Sequence, residues 1–274
     1  MSAQQQTGNV SERRIVAHND ATDSENKIHD DAEARRLGLR GGLVPGVTLY
    51  AYLTPLLVDV FGSEWLQEGG ATIRFLRPVY EGETITCRLA QTADGAEISV
   101  LGPDGATCAV GAAAPRGGGF EPPFTDLDAA PAWSGEARPE LTRETAPIGV
   151  RLRPRFVPLG AAEATAYAEM CSDPSPLFRG EPALAPPALL AAQPSRLLRE
   201  NFSYGPSVHT RSEIRHLAPA RAGGVYRIDA VLRETYTRNE NDYVTADVLI
   251  RDDAGVPVAQ IRHTVIFRFA PRRS

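Results

Sequence analysis

Little in this chain of 274 residues points to a covalently stapled or metal-organised protein. Its three cysteines, Cys87, Cys108 and Cys171, are too scattered for a disulfide framework or a zinc-ligand spacing. Such usage suits a reducing compartment. Positive charge is not in excess either: the formal net charge is −5 and no basic stripe stands out, which argues against nucleic acid as a partner. Long apolar runs are missing too. The greasiest stretch carries about ten apolar residues before Pro55, well short of the ~20 that a membrane-spanning helix needs. The polar start MSAQQQTGNVSERR has no apolar core, so no secretory signal is expected and the reading is a cytoplasmic α/β or α+β protein.

What is present is organised around GGLVPGVTLYAYLTPLL, residues 41–57. Glycines and a Pro-Gly pair end the preceding element. Val47, Tyr50, Leu53, Leu57 and Val60 then recur at helical spacings of three and four. Leu49, Tyr52 and Leu56 occupy the other faces, so this helix is expected to be surrounded by protein and kinked at Pro55. Before it, Arg14–His18 reads as a first strand. A short helix follows, with Asp30 and Asp31 at its start, Arg35 and Arg36 at its end and Gly38 beyond, as capping and the helix dipole prefer. After it, Ala71–Leu76, Glu83–Ala90, Ala96–Leu101 and Thr107–Ala113 read as strands separated by Gly-containing turns, an antiparallel meander. One long helix and several strands predict a sheet wrapped on a helix.

Residues 113–145 are rich in Gly, Pro and Ala without a period and read as a linker. Past it the pattern returns. LVPGVTLYAYLTPLL from Leu43 aligns with LAPPALLAAQPSRLL from Leu184 at a constant offset of 141 residues, which also carries Pro45 onto Pro186, Ile73 onto Ile214, Pro78 onto Pro219 and Gly82 onto Gly223. Two copies of one helix-plus-sheet unit are therefore expected, 1–112 and 146–274.

Between the first strand and the short helix lies Ser24-Glu25-Asn26-Lys27-Ile28-His29, and Gly46 opens the buried helix seventeen residues past His29. This layout, with RFLRPVYEGETI after it, resembles the MaoC-like hydratase/dehydratase family, whose signature is D-x-N-P-[LIV]-H followed by a small helix and a glycine opening the central helix. The resemblance covers most of the chain, once per half. It implies an α+β double hotdog: two antiparallel sheets, each wrapped around a long central helix, forming an internal pseudo-dimer that could pair further as a homodimer. It also implies reversible addition of water to an enoyl thioester, with R-type stereochemistry. No metal or redox cofactor is required, and coenzyme A enters only as part of the substrate.

Carried over by position, His29 matches the family histidine, Asn26 the asparagine, and Gly46 the glycine whose amide stabilises the enolate oxygen at a helix start. Lys27 replaces the proline. Ser24 replaces the aspartate, and a serine is no base at neutral pH without a partner; Asp23 and Glu25 beside it aim elsewhere. The second copy, Asp173-Pro174-Ser175-Pro176-Leu177-Phe178, keeps the aspartate but has Phe178 for the histidine and Pro187, which lacks an N–H, for Gly46. That half is expected to be silent, with Phe178, Leu184 and Leu190 making room for an acyl chain. His18, His209, His216 and His263 stand outside any motif and read as structural. Arg262, Arg268, Arg272 and Arg273 read as a solvated face, with coenzyme A phosphates as a weaker alternative. The reading is a hydro-lyase on acyl thioesters. Its rivals are a non-catalytic acyl-thioester or small-molecule binding protein, and a dehydratase, cyclase or isomerase of a secondary pathway.

Overall fold

The computed structural model describes residues 9–118 and 138–270. In the first half, β1 (Val10–Val16) leads to a 3₁₀ turn (Lys27–His29), α1 (Asp31–Arg36), α2 (Gly46–Phe61) and α3 (Trp65–Glu68), then β2 (Gly70–Phe75), β3 (Thr84–Gln91), β4 (Ala96–Leu101) and β5 (Thr107–Ala114). The second half runs β6 (Arg155–Leu159), α4 (Ala161–Met170), a 3₁₀ turn (Pro176–Phe178), α5 (Pro187–Ala191), α6 (Gln193–Asn201), β7 (Val208–His216), β8 (Gly224–Arg238), β9 (Asn241–Arg251) and β10 (Pro257–Arg268). The first strand starts four residues earlier than its sequence suggests, because β3 offers partners as far as Ala90 opposite Val10.

The ten strands of the described residues form one sheet in the order β1-β3-β4-β5-β2-β7-β10-β9-β8-β6. Two separate sheets were expected; they are joined instead through β2 and β7. Each of these strands would otherwise leave a row of backbone donors and acceptors open at an edge, and antiparallel pairing satisfies both rows. Every neighbouring pair in the order is antiparallel. Only β3-β4-β5 and β8-β9-β10 are simple meanders, since β2 and β7 cross to the inner side of their halves. The seam is symmetric under the 141-residue offset: Thr72 pairs with Glu213, its counterpart, and Ala71 with Ile214 mirrors Ile73 with Ser212.

The sheet wraps α2. Leu49, Tyr50, Tyr52, Leu53 and Leu57 on its several faces are buried, against Ile73, Ile85, Leu89 and Ile98 of the strands. The helix runs uninterrupted through Pro55, whereas its counterpart is broken into α5 and α6 at Ala192. Pro194 cannot donate to the carbonyl of Leu190, which ends the first helical run. Beside the break, the buried side chain of Gln193 donates to the Leu189 carbonyl (Nε2–O 2.7 Å). Asp30 caps α1 by accepting from the Glu33 amide (2.9 Å), and Arg35 and Arg36 lie in its last turn.

Most of the expected linker lies outside the described residues. Its last part packs on the second half, where Leu141 is buried and its amide donates to the Ser203 carbonyl (3.0 Å). Of the expected solvated face, Arg268 is exposed while Arg262 is half-buried, and both are tied to carboxylates. Arg262 binds buried Asp247 (Nε–Oδ1 2.6 Å) and Arg268 binds buried Asp242; Arg272 and Arg273 lie outside the described residues.

His216 ends β7 in the core, edge-on to Trp65 and 3.4 Å from the Tyr50 hydroxyl. Burial pushes its pKa down to about 4. The unfolded chain therefore binds a proton here below pH ~6.5 that the folded chain refuses. The contribution is complete above pH ~6.5 and is lost as pH falls toward 4. His216→Gln, which keeps an acceptor for Tyr50 but does not titrate, should flatten part of the decline of Tm between those limits. An unchanged slope in melts across that range would contradict this.

Candidate functional site

The loop after β1 is shaped by buried Asn19, whose side-chain Nδ2 donates to the His29 carbonyl (2.9 Å). Gly42 packs on that same carbonyl: a Cβ there would sit 2.0 Å from the oxygen, so glycine alone fits without moving the turn. The Gly42 amide donates to Asp31 Oδ1 (2.8 Å), which fixes the strand-like return of the chain beside His29. Thus Asp30 and Asp31 are helix-start and loop-anchoring residues.

This scaffolding sets the imidazole. His29 Nδ1–H donates to the Leu43 carbonyl (2.7 Å), so in the neutral ring Nε2 carries the lone pair. Burial lowers the His29 pKa; the Leu43 hydrogen bond and the charge of Asp20 pull it up, and Arg199 pushes it down. Asn26 Nδ2 lies 3.4 Å from His29 Nε2 and donates to the Ser207 carbonyl (3.0 Å). Its Oδ1 accepts from the Ser207 amide (3.0 Å) and from Arg199 (2.9 Å). Arg199 in turn lies over the Tyr204 ring, 4.5 Å from its centroid. Ser24 turns its hydroxyl to the Asn26 carbonyl (3.2 Å), a local turn bond.

Gly46 opens α2 with Pro45 before it. The first backbone bonds of this helix start from Thr48 and Leu49, both to Pro45, and the Gly46 and Val47 amides take no acceptor among the described residues. Phe75 lies against the helix start, 2.9 Å from where a Gly46 Cβ would be. Ser24, Asn26, His29 and Gly46 all line one cavity of about 1210 Å³, whose far wall comes from α6, β7, the first residue of β9 and the chain after β10. The four residues singled out in the sequence are thus brought together.

Three others were missed. Asp20 lines the cavity and its Oδ1 accepts from the buried Thr48 hydroxyl (2.8 Å) in the first turn of α2. Among Asp20, Asp23 and Glu25, nothing in the sequence marks the first; Thr48, two residues past Gly46, is the only hint. Arg199 and Ser207 bind Asn26 from the other half, which no local motif could reveal. Glu25 instead pairs with Arg138 (3.1 Å) on the surface.

The second copy has no equivalent site. Asp173 is buried and accepts from the Ser175 amide (2.8 Å) in a local turn, and burial raises its pKa. Phe178 is fully buried and Pro187 is the first residue of α5. Neither they nor Leu184 and Leu190 line the cavity. The leucine that does so from this helix is Leu189, because one residue turns a helical side chain by about 100°.

No protein-family model matches the chain, and no curated protein matches it. Solved structures do. A MaoC-like dehydratase aligns over 97% of this chain and 99% of its own at 14% identity, with a TM-score of 0.63. A protein of Mycobacterium tuberculosis described as having a double hotdog fold aligns over 95% of this chain and 96% of its own at 13% identity, also with a TM-score of 0.63. The chain is a double hotdog. At these identities the likeness is one of fold. In this double hotdog the described residues include no helix long and apolar enough to cross a membrane. They also contain no cluster of three His, Cys, Asp or Glu side chains placed to hold a metal ion.

Because the His29 carbonyl occupies the space of a Gly42 side chain, Gly42→Ala should cost about 1–3 kcal/mol through overpacking. It should also loosen the Nδ1–Leu43 bond. A melting curve and the His29 ring nitrogen shifts would check both; an unaltered Tm with unaltered shifts would show that the turn yields freely.

Proposed function

We propose that the protein is a hydratase/dehydratase acting on an enoyl-type acyl thioester, with its site in the first half. The observation that carries this reading is the neutral His29 held by its Nδ1–H, its Nε2 in the same cavity as the unpaired amides at the start of α2. Residues 1–112 and 146–274 would be the two repeats, joined by 113–145.

In this reading the thioester carbonyl lies at the Gly46 amide, where the first-turn N–H groups and the helix dipole favour the negative oxygen of an enolate. His29 Nε2 takes a proton from water as its oxygen bonds to C3. The electron pair of the double bond moves onto the carbonyl, and C2 then takes the proton that His29 received from water, which returns the ring to neutral. Dehydration is the reverse. Asn26 keeps the imidazole in register rather than moving protons, since its amide is engaged with Ser207. Ser24 has its hydrogen on the Asn26 carbonyl, so we assign the carboxylate role to Asp20: it shares the cavity, it raises the proton affinity of His29, and Thr48 orients it.

A second reading is favoured by one observation. Asp20 Oδ1 is bonded to Thr48, and no hydrogen bond links either of its oxygens to His29 among the described residues. A binding protein for acyl thioesters, its base pair dismantled, would have this geometry.

The test is hydration of short and medium enoyl-CoAs, followed by loss of the conjugated absorbance. His29→Ala should lower kcat by about 10²–10⁴, the value of a positioned acid–base group, with little change in Tm. Asp20→Asn should lower it less than His29→Ala, and Ser24→Asp should not lower it. Since burial lowers the His29 pKa, kcat/KM should stay flat from neutral pH to below ~6.5 and fall only on the acid side of that. Thioester binding by wild type without turnover, by it or by Ser24→Asp, would replace the hydratase with the binding protein.

A further inference from the structure

Outside the His29 centre the cavity has a second polar wall. Ser195 on α6 and His209 on β7 both line it. Behind them lie two residues that do not, His263 and Ser212, both buried. Ser195 Oγ is 2.8 Å from His263 Nε2, His263 Nδ1 is 3.2 Å from Ser212 Oγ, and Ser212 Oγ is 2.8 Å from His209 Nε2. The backbone of Arg211 pulls the His209 pKa up, as a carbonyl does when it accepts the hydrogen of the remaining ring nitrogen. A β-bulge makes this possible. Ser212 pairs with His263, but the register slips so that Arg211 faces Thr264 while His209 faces Val265, leaving Thr210 as the extra residue. That slip turns His209 to the face of Ser212, three positions away, where a regular strand would oppose them.

The chain has a fixed direction. The Arg211 carbonyl can only accept, so His209 carries its hydrogen on that side and Nε2 is an acceptor. Ser212 must then donate to His209 and accept from His263 Nδ1–H, which leaves His263 Nε2 as an acceptor for the Ser195 hydroxyl. Reversing any link would set two hydrogens or two lone pairs face to face in the core. Each ring then carries one hydrogen. Burial ensures it, pushing the His209 pKa down to about 3 and that of His263 well below its ordinary value.

We propose that Ser195 is a specificity-determining acceptor: its hydrogen is committed inward to His263, so it offers lone pairs to the cavity and selects a ligand with an O–H or N–H donor at that point. Among the described residues its oxygen has no other partner. The same geometry could suggest a Ser–His nucleophile, but His263 would have to become an imidazolium in the dry core, which burial opposes. On the acyl-thioester reading, on which the identity of the ligand rests, the donor is a hydroxyl on the acyl chain or an amide of the pantetheine arm.

Two measurements test this. In long-range ¹H–¹⁵N spectra of the wild type, His263 and His209 should both be the neutral Nδ1–H tautomer at neutral pH. An Nε2–H tautomer at His263 would make Ser195 accept from it and overturn the proposal, whatever the ligand is. Calorimetric titration then compares Ser195→Ala with wild type on short- and medium-chain acyl-CoAs matched with and without a chain hydroxyl. A loss of about tenfold confined to the hydroxylated members places the donor on the acyl chain; an equal loss across all members places it on the pantetheine arm. Unchanged affinity for every thioester that the wild type binds would overturn the proposal. If the wild type binds none, the acyl-thioester reading fails, and the tautomer measurement still decides the polarity of Ser195.

Discussion

The grip of Asn26 on Ser207 is the contact on which the candidate site depends. One amide group satisfies the N–H and the C=O of a single residue in the other half, at 3.0 Å each. Arg199 adds a charge-assisted bond to the same oxygen. The partners are 181 positions apart in the chain, so this pairing exists only when the two halves are docked. Docking is secured elsewhere, by the β2–β7 seam, whose backbone ladder needs no particular side chains. The seam brings the halves together, and Asn26 converts that into a fixed position for the 3₁₀ turn that ends in His29. A side chain expected to work on substrate is thus placed to hold the turn that carries His29.

The two halves use corresponding places differently. At the start of α2 a glycine admits Phe75 and leaves backbone N–H groups unpaired; at the start of α5 a proline has none to leave. In the first half the turn presents a half-buried imidazole to the cavity; in the second Phe178 fills the core. Losing its polar turn frees the second half for another task. Its α6 and β7 form the wall opposite His29, with Arg199, Ser195 and His209 contributed from positions that no motif marks. One cavity built from both halves replaces two equivalent sites.

The sequence made the central helix and the first four-strand run legible, because periodicity and turn residues act locally and leave a local record. It also brought Ser24, Asn26, His29 and Gly46 to one place, since a spaced motif before a glycine-opened helix is local too. What was not legible is non-local. A single joined sheet follows from two open edges meeting, and nothing in β2 or β7 states that. Asp20 was hidden among three acidic residues, and only the position of Thr48 distinguishes it. His209 and His263 read as structural because their spacing carries no signal; a one-residue bulge in β7, invisible in the sequence, puts His209 in the chain that reaches Ser195. The break between α5 and α6 was legible in Pro194 and was overlooked because the leucine pattern continued past it.

The electrostatics of the cavity decide which imidazoles can do chemistry. Four influences act on His29, and burial, which opposes the charged form, is the largest. The Leu43 carbonyl and Asp20 act against it, so the ring is neutral at physiological pH while a route to the protonated state remains. His209 and His263 lack a carboxylate in that role, and each donates its one hydrogen to a neutral acceptor. At His209 only the backbone of Arg211 works against burial, and at His263 the charge of His209 adds to it, so both rings stay neutral and direct hydrogens. What sets His29 apart from His209 and His263 electrostatically is thus a single nearby carboxylate that draws its pKa upward. Asp20 stands on the His29 side of the cavity, and it reaches that position because the loop after β1 is anchored by Asn19 and met by Thr48.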